Sequence, residues 1–100
     1  MNIRIPKKIQ VGPQVYTVLR DHKTRIELRG NGNIGESDHL LGTIKLDNDM
    51  PAIKRQTTFL HEVLHCIAYQ YGAPNVEDDI ERMANGLSQV LFQLKEDKYV

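Results

Sequence analysis

The hydrophobic period of the sequence changes once, near Ala52, and this change limits the folds that the chain can adopt. Before Ala52 the apolar residues fall in short alternating or β-branched runs, which are typical of half-buried strands. After Ala52 they recur three and four residues apart, which is typical of amphipathic helices. A chain of 100 residues has room for one compact domain. The sequence therefore predicts an α+β fold, with a small antiparallel β-sheet followed by two antiparallel helices in a single domain over 1–100.

Short strands are expected in the first half of the chain. The segments predicted as strands are 3–5, 8–11, 15–19, 25–28 and 42–47, with a polar hairpin loop at 20–24. The segment 30–35, GNGNIG, lacks the lysine and hydroxyl of a phosphate-binding loop, and its Asn-Gly steps favour turns. In the last strand Ile44 and Leu46 share one face, and Thr43 and Lys45 share the other.

Two amphipathic helices are expected in the second half. The first extends to Tyr71 and ends at Gly72, with Pro74 two residues further on as a helix stop. The second begins near Asn75, a residue type that suits the N-cap position. Its residues expected to face the core are Ile80, Met83, Ala84, Leu87, Val90, Leu91 and Leu94.

The charge balance argues against several classes of partner. Thirteen basic and thirteen acidic residues cancel without any block of like charge, so neither nucleic acid nor an anionic membrane is an expected partner. No stretch approaches the roughly 18 apolar residues of a membrane span. The single cysteine, Cys66, excludes an internal disulfide and is expected to be a small buried residue. We therefore expect a soluble cytoplasmic protein.

The pentapeptide HEVLH, residues 61–65, carries the clearest chemical signal. On a helix, His61 and His65 lie about 40° apart and one turn separated, so both imidazoles can reach one point beside the helix. Glu62 follows about 60° further round, where its carboxylate can act on metal-bound water without being a ligand. The pattern lies within a strongly periodic helix, which is the context that its mechanism requires. It predicts a Zn²⁺ site with His61 and His65 as ligands and Glu62 as the catalytic base.

A third zinc ligand is needed, because a catalytic zinc with an open position takes three protein ligands. His65 is the last histidine, and the nearest acids are Glu77, Asp78, Asp79 and Glu81 in the second helix. In a helical hairpin the histidines lie about 12 Å below the end of the first helix, and Glu81 is closer to that height than Glu77. Acids in a first helical turn are also expected without any metal, because they complement the helix dipole. Glu81 is therefore the preferred third ligand, and Glu77 stays open as the alternative.

HEVLH followed after a short turn by ERMANGLSQVL resembles the gluzincin metallopeptidases, most closely the small ImmA/IrrE-like zincins of bacteria and phages. The resemblance covers roughly residues 42–94. In that family the third ligand is a glutamate three residues before an Ala-Asn pair, which is matched here by Glu81, Ala84 and Asn85. The resemblance implies that the chain is a minimal zincin, that Glu81 completes the zinc site, and that Asn85 supports it. A phage-encoded member would act in the host cytoplasm.

The expected activity is that of a zinc-dependent metallo-endopeptidase acting on a protein or peptide substrate, with Glu62 as general base. The strand at 43–46 is the expected substrate-binding edge strand, formed by Thr43, Ile44 and Lys45, because an exposed edge can pair with an extended peptide. His39, Tyr69 and Tyr71 are weak candidates for a donor to the substrate oxygen. The alternative is a catalytically weak or inactive zincin that acts as a zinc-stabilised protein-binding module. The sequence carries no signal for the oligomeric state.

Overall fold

The computed structural model describes residues 4–96, which form a four-stranded sheet and three helices. The elements in chain order are β1 (Lys8–Val11), β2 (Gln14–Leu19), α1 (His22–Gly30), β3 (Gly35–Asp38), β4 (Thr43–Leu46), α2 (Ala52–Tyr71) and α3 (Glu77–Glu96). The predicted α+β class is confirmed, as are the strands corresponding to β1, β2 and β4 and the predicted first helix. None of the helices within residues 4–96 has the length and apolar character needed to span a bilayer.

The sheet is mixed, so the predicted antiparallel sheet is wrong. Its strand order is β1-β2-β4-β3, with antiparallel pairing of β1 with β2 and of β3 with β4. Between them β2 and β4 run parallel, with Val18 opposite Ile44. Helix α1 and strand β3 lie between β2 and β4 in the chain and return it to the same end of the sheet. Such a helical connection is what allows two strands to pair in parallel.

Helix α1 occupies the segment for which a loop and a strand were predicted at 20–24 and 25–28. The Asp21 side chain accepts a hydrogen bond from the amide of Thr24 over 2.8 Å, which caps the helix start. Thr24 and Leu28, four residues apart, are buried, whereas Ile26 is exposed. The short alternating pattern at 25–28 therefore lies on a helix. Of the strand predicted at 3–5, Arg4 and Ile5 belong to no strand, and Ile3 lies outside the described residues.

The hydrophobic core lies between the sheet and α2. Its buried members are Val11, Tyr16, Val18, Ile44, Leu46, Phe59 and Cys66. Ile44 and Leu46 are both buried, as their alternation predicted. Cys66 is fully buried, also as predicted, and burial raises the pKa of its thiol to about 11. The thiol therefore stays protonated and unreactive at neutral pH.

Helices α2 and α3 run antiparallel, since Glu77 contacts His61 and His65 while Ser88 contacts Gln56. Helix α2 ends at Gly72, whose φ of 66° lies in the left-handed region that glycine adopts readily. On α3 the buried residues Ile80, Ala84 and Ser88 recur every four positions and form one narrow line. Ser88 Oγ accepts a hydrogen bond of 2.8 Å from the buried amide of Gln56 on α2.

The outer face of α3 remains exposed, so part of the predicted core is wrong. The exposed apolar residues on this helix are Met83, Leu87, Val90 and Leu94. Because α3 packs chiefly on α2, only one line of its side chains is covered. Leu91, beside this line, is half-buried.

Candidate metal centre

Helix α2 brings the two histidines of HEVLH together. Because they are four residues apart on one helix, their side chains extend from adjacent turns to the same side. The Nε2 atoms of His61 and His65 lie 3.1 Å apart, and each side chain is 16% exposed. The imidazoles are thus sheltered but accessible from a cavity.

Glu77, the first residue of α3, completes this cluster. Its Oε1 lies 2.6 Å from Nε2 of His61, and its Oε2 lies 3.0 Å from Nε2 of His65. One possible ligand atom from each of the three residues lies within 4.8 Å of the other two. Glu81 lines the same cavity but does not belong to this cluster. The geometry therefore favours Glu77, the alternative ligand, over the preferred Glu81.

The path of the connection between the helices explains this difference. The height estimate that favoured Glu81 assumed that α3 starts level with the end of α2. Residues 73–76 are instead non-helical, and Asn75 already contacts His65, six positions before the end of α2. An extended residue advances about 3.3 Å, compared with about 1.5 Å for a helical residue. Four residues are therefore enough to bring the chain from the end of α2 back to the level of His65. Helix α3 therefore begins at the height of the histidines, and its first residue faces them.

Asn75 orients His65. Its side-chain Oδ1 accepts a hydrogen bond from Nδ1 of His65. In a neutral imidazole the lone pair is then on Nε2, where it can bind a metal. Histidines that bind metals commonly donate their other N–H to such an oxygen, which fixes the ring. Asn75 is thus not the N-cap that was predicted. Asn85, the supporting residue implied by the family resemblance, is exposed and lines the cavity.

Glu62 lies beside the histidines and is largely enclosed. It is 7% exposed, and its Oε1 accepts a hydrogen bond of 2.7 Å from Oγ of Ser37 on β3. Burial raises the pKa of Glu62, while the Ser37 hydrogen bond and the two histidines oppose this increase. Ser37 binds Oε1 of Glu62 and not its other carboxylate oxygen, Oε2.

Gly35 allows β3 to approach α2 closely enough for the Ser37 contact. A Cβ atom at this position would lie 2.9 Å from Cγ2 of Thr58 and 3.2 Å from the Glu62 side chain. The first distance is shorter than van der Waals contact permits. The absence of a side chain at residue 35 is therefore a condition for the observed placement of Glu62.

The edge strand beside the site is β3, which corrects the prediction for 43–46. Strand β4 lies between β2 and β3, so the backbone of Thr43, Ile44 and Lys45 is already paired on both sides. These three residues do not line the cavity. Gly35, Glu36 and Ser37 of β3 line it instead.

The cavity that contains the cluster measures about 1080 Å³. It is lined on one side by α2 and α3 residues, including the histidine cluster, and on the other by β3. Further along, Ile34 and Ile53 contribute exposed apolar surface. A groove of this size can hold several residues of an extended peptide or a small molecule.

His39, in the β3–β4 hairpin, also lines the cavity and is held in place by aromatic residues. Its ring stacks on Tyr69 with centroids 4.1 Å apart and planes inclined by 6°. Its Nδ1 lies 2.9 Å from the hydroxyl of Tyr16. Burial, and next the neighbouring His65, lower the pKa of His39. Tyr71, by contrast, is 69% exposed and does not line the cavity, so it is neither a core residue nor part of this site.

The sequence did not predict that Ser37 would bind Glu62 or that Asn75 would bind His65. Ser37 lies in a strand that was not predicted, because GESD has no apolar alternation. Asn75 was noticed only as a possible helix cap. A polar residue in the short connection after HEVLH was the one available signal for it.

No protein-family model matches this sequence, and neither the curated proteins nor the solved structures yield a match.

The donor set fits Zn²⁺. Two imidazole nitrogens and a carboxylate are ligands that zinc prefers, and three of them leave one position open. Two donors on a tetrahedral zinc, each at about 2.0–2.1 Å, lie roughly 3.3 Å apart. The two Nε2 atoms, 3.1 Å apart, are close to this value, whereas Oε1 of Glu77 lies nearer to Nε2 of His61, at 2.6 Å.

Proposed function

We propose that this protein is a zinc-dependent metallo-endopeptidase in which His61, His65 and Glu77 hold the metal and Glu62 is the general base. The observation that carries the proposal is the convergence of three donor residues beside a buried carboxylate in one cavity. A bound zinc would supply Lewis acidity and activate water for attack on a carbonyl carbon. A purely structural zinc site has no use for a carboxylate beside the metal and usually has four protein ligands.

Glu62 would move the proton. Its carboxylate accepts a proton from the attacking water as the new C–O bond forms, and it donates this proton to the leaving amine as the C–N bond breaks. The hydrogen bond from Ser37 fixes Oε1, so the other oxygen is the one that exchanges the proton. The low exposure of Glu62 keeps bulk water from competing for this carboxylate.

His39 would donate a hydrogen bond to the substrate oxygen. Nε2 of Gln14 donates a hydrogen bond to the backbone oxygen of His39, which fixes the orientation of the Gln14 amide. Oε1 of Gln14 then accepts a hydrogen bond of 2.6 Å from Nε2 of Gln70. Gln70 Nε2 also donates to the Tyr16 hydroxyl over 3.0 Å, which leaves that hydroxyl its own proton for Nδ1 of His39. The imidazole is then neutral with its proton on Nε2. Because His39 lines the same cavity, this N–H would suit a carbonyl oxygen that gains negative charge.

The exposed edge of β3 supports an extended peptide as substrate. An edge strand offers main-chain donors and acceptors that can pair with another chain. Pairing of this kind recognises an extended segment and needs no free terminus. We therefore favour cleavage within a chain over removal of terminal residues.

The test combines zinc content with peptide cleavage. We expect native protein to hold one zinc per chain and to cleave some member of a fluorogenic peptide library. Glu62→Gln should keep the zinc and lose cleavage, whereas His61→Ala should lose both. A native protein that binds no zinc after metal addition would refute the proposal. A native protein that binds zinc and peptide but cleaves nothing would instead support the zinc-stabilised binding module.

A further inference from the structure

A second cavity, of about 590 Å³, has a concentrated positive charge. It is lined by Arg4, Ile5, Pro6, Lys7, Arg20 and Arg55, which we call the basic cavity. It shares no lining residue with the cavity of the metal centre. Its walls come from the segment before β1, the end of β2 and the first turns of α2.

Within the described residues, no carboxylate pairs with the four cations of the basic cavity. Of the six described lining residues, four are basic and none is acidic. Among the carboxylates that the structure describes, none forms an ion pair with any of these four side chains. The chain as a whole has a formal net charge of zero, so this is a local separation of charge. A cavity wall whose cations have no described carboxylate partner attracts anions.

Two of the guanidinium groups contact the same segment, which precedes α2. Nη1 of Arg20 lies 3.5 Å from Oδ1 of Asn48, and Nη1 of Arg55 donates to the backbone oxygens of Asn48 and Met50 over 3.4 and 3.3 Å. All three contacts are to uncharged oxygens and use Nη1 alone. The remaining N–H groups of both forks can still bind an anion. Groups already held in place lose less freedom when a ligand binds.

The chemistry of the walls indicates the class of ligand. Arginine forks match the oxygen geometry of phosphate, and four cations can offset several negative charges. Ile5 and Pro6 add an apolar wall, which suits an organic group attached to the phosphates. The volume lies within the range of small-molecule sites. A polynucleotide is less suited, because the basic residues line one cavity and none of its described lining residues is aromatic for base stacking.

We propose that the basic cavity binds a small organic anion that carries two or more phosphate groups. The proposal does not depend on the metallopeptidase function, because the two cavities are lined by different residues.

The test is a titration of the 100-residue protein with ADP, in which amide NMR shifts report binding. We expect saturable shifts at the amides of residues 4, 5, 7, 20 and 55, with a Kd below about 1 mM. Inorganic pyrophosphate should shift the same residues, and orthophosphate should bind at least about tenfold more weakly because it engages fewer cations. Arg20→Gln and Lys7→Gln should each weaken ADP binding about tenfold. Arg82→Gln, which removes an exposed arginine outside the basic cavity, should leave it unchanged.

Lys7→Gln guards against a folding artefact, because Lys7 is exposed and its described contact is made by its backbone oxygen. Absence of saturable shifts with ADP would overturn the proposal. So would ADP shifts centred on residues 61–65, which would place the anion at the metal centre. Tighter binding of a single-stranded oligonucleotide than of ADP would also overturn it, because the ligand would then be a polynucleotide.

Discussion

Oγ of Ser37 on the edge strand β3 lies 2.7 Å from Oε1 of Glu62 on helix α2. Through this contact the sheet edge orients the carboxylate that we propose as the catalytic base. The contact depends on Gly35, two residues earlier, because a side chain there would collide with Thr58. The edge strand therefore has two roles in the proposed enzyme, one in peptide pairing and one in positioning Glu62.

Replacement of Ser37 by alanine should lower kcat about tenfold or more, because small misplacements of a catalytic group are costly. KM and zinc content should stay within about twofold, since Ser37 is not in the metal cluster. Ser37→Thr keeps the hydroxyl and should restore most of the rate. Steady-state kinetics and elemental analysis measure these quantities. If the alanine and threonine variants lose equal activity, the hydrogen bond has no positioning role.

Glu77→Gln and Glu81→Gln form a matched pair that identifies the third ligand. Both changes keep side-chain size and remove one charge from the same helix. We expect Glu77→Gln to weaken zinc affinity by more than about 100-fold, beyond the usual effect of residues that only support a ligand. Glu81→Gln should bind zinc as the native protein does. Competition with a chromogenic chelator gives both affinities, and the reverse order would restore the sequence-based preference for Glu81.

Removal of the Asn75 side chain should weaken zinc binding without removing a ligand. Asn75→Ala takes away the oxygen that holds Nδ1 of His65, and the expected loss in affinity is about 10- to 100-fold. Asn75→Asp retains an acceptor oxygen and should recover much of the loss. Asn85→Ala is the control on α3 and should have little effect. Equal weakening by both alanine variants would mean that Asn75 acts only through the fold.

Protonation of Asp47 should destabilise the folded state in acid. Burial alone would raise the pKa of its carboxyl, but the Asp49 amide at 2.9 Å and Nε of Arg29 at 3.1 Å outweigh burial and lower it below 3.8. The unfolded chain then binds this proton more tightly than the folded protein. The stabilising contribution is therefore present above about pH 4 and is lost as pH falls below this value.

Asp47→Asn should lower the free energy of unfolding at pH 7 by about 1–3 kcal/mol, the usual effect of losing buried hydrogen bonds to a charged group. Urea denaturation should show a smaller difference from native protein at pH 3 than at pH 7. Asp49→Asn, which removes an exposed carboxylate bound to the same arginine, should change stability by less than about 1 kcal/mol. A constant difference across this pH range would exclude the assigned role of Asp47.

Local signals in the sequence were sufficient for the helix that carries HEVLH. Its period, its stop at Gly72 and the spacing of the two histidines all depend on residues within a few positions of one another. Helix α1 also had a local signal, the Asp21 cap three residues before Thr24, but the short alternation at 25–28 obscured it.

The residues that complete the site depend on contacts far apart in the sequence. Ser37 reaches Glu62 only because β3 is placed at the sheet edge, and that strand order follows from the parallel pairing of β2 with β4. Glu77 reaches the histidines only because the non-helical connection at 73–76 returns along α2, where Asn75 contacts His65. No periodicity within either segment specifies these paths.

The position of Glu77 at the very start of α3 gives a bound metal a mechanical role. A zinc held by α2 and by Glu77 would cross-link two helices over a loop of about a dozen residues, whose closure costs little entropy. Without this link, the described packing of α3 rests on the narrow line of Ile80, Ala84 and Ser88. Metal loss would then loosen a whole helix as well as disable the proposed reaction centre.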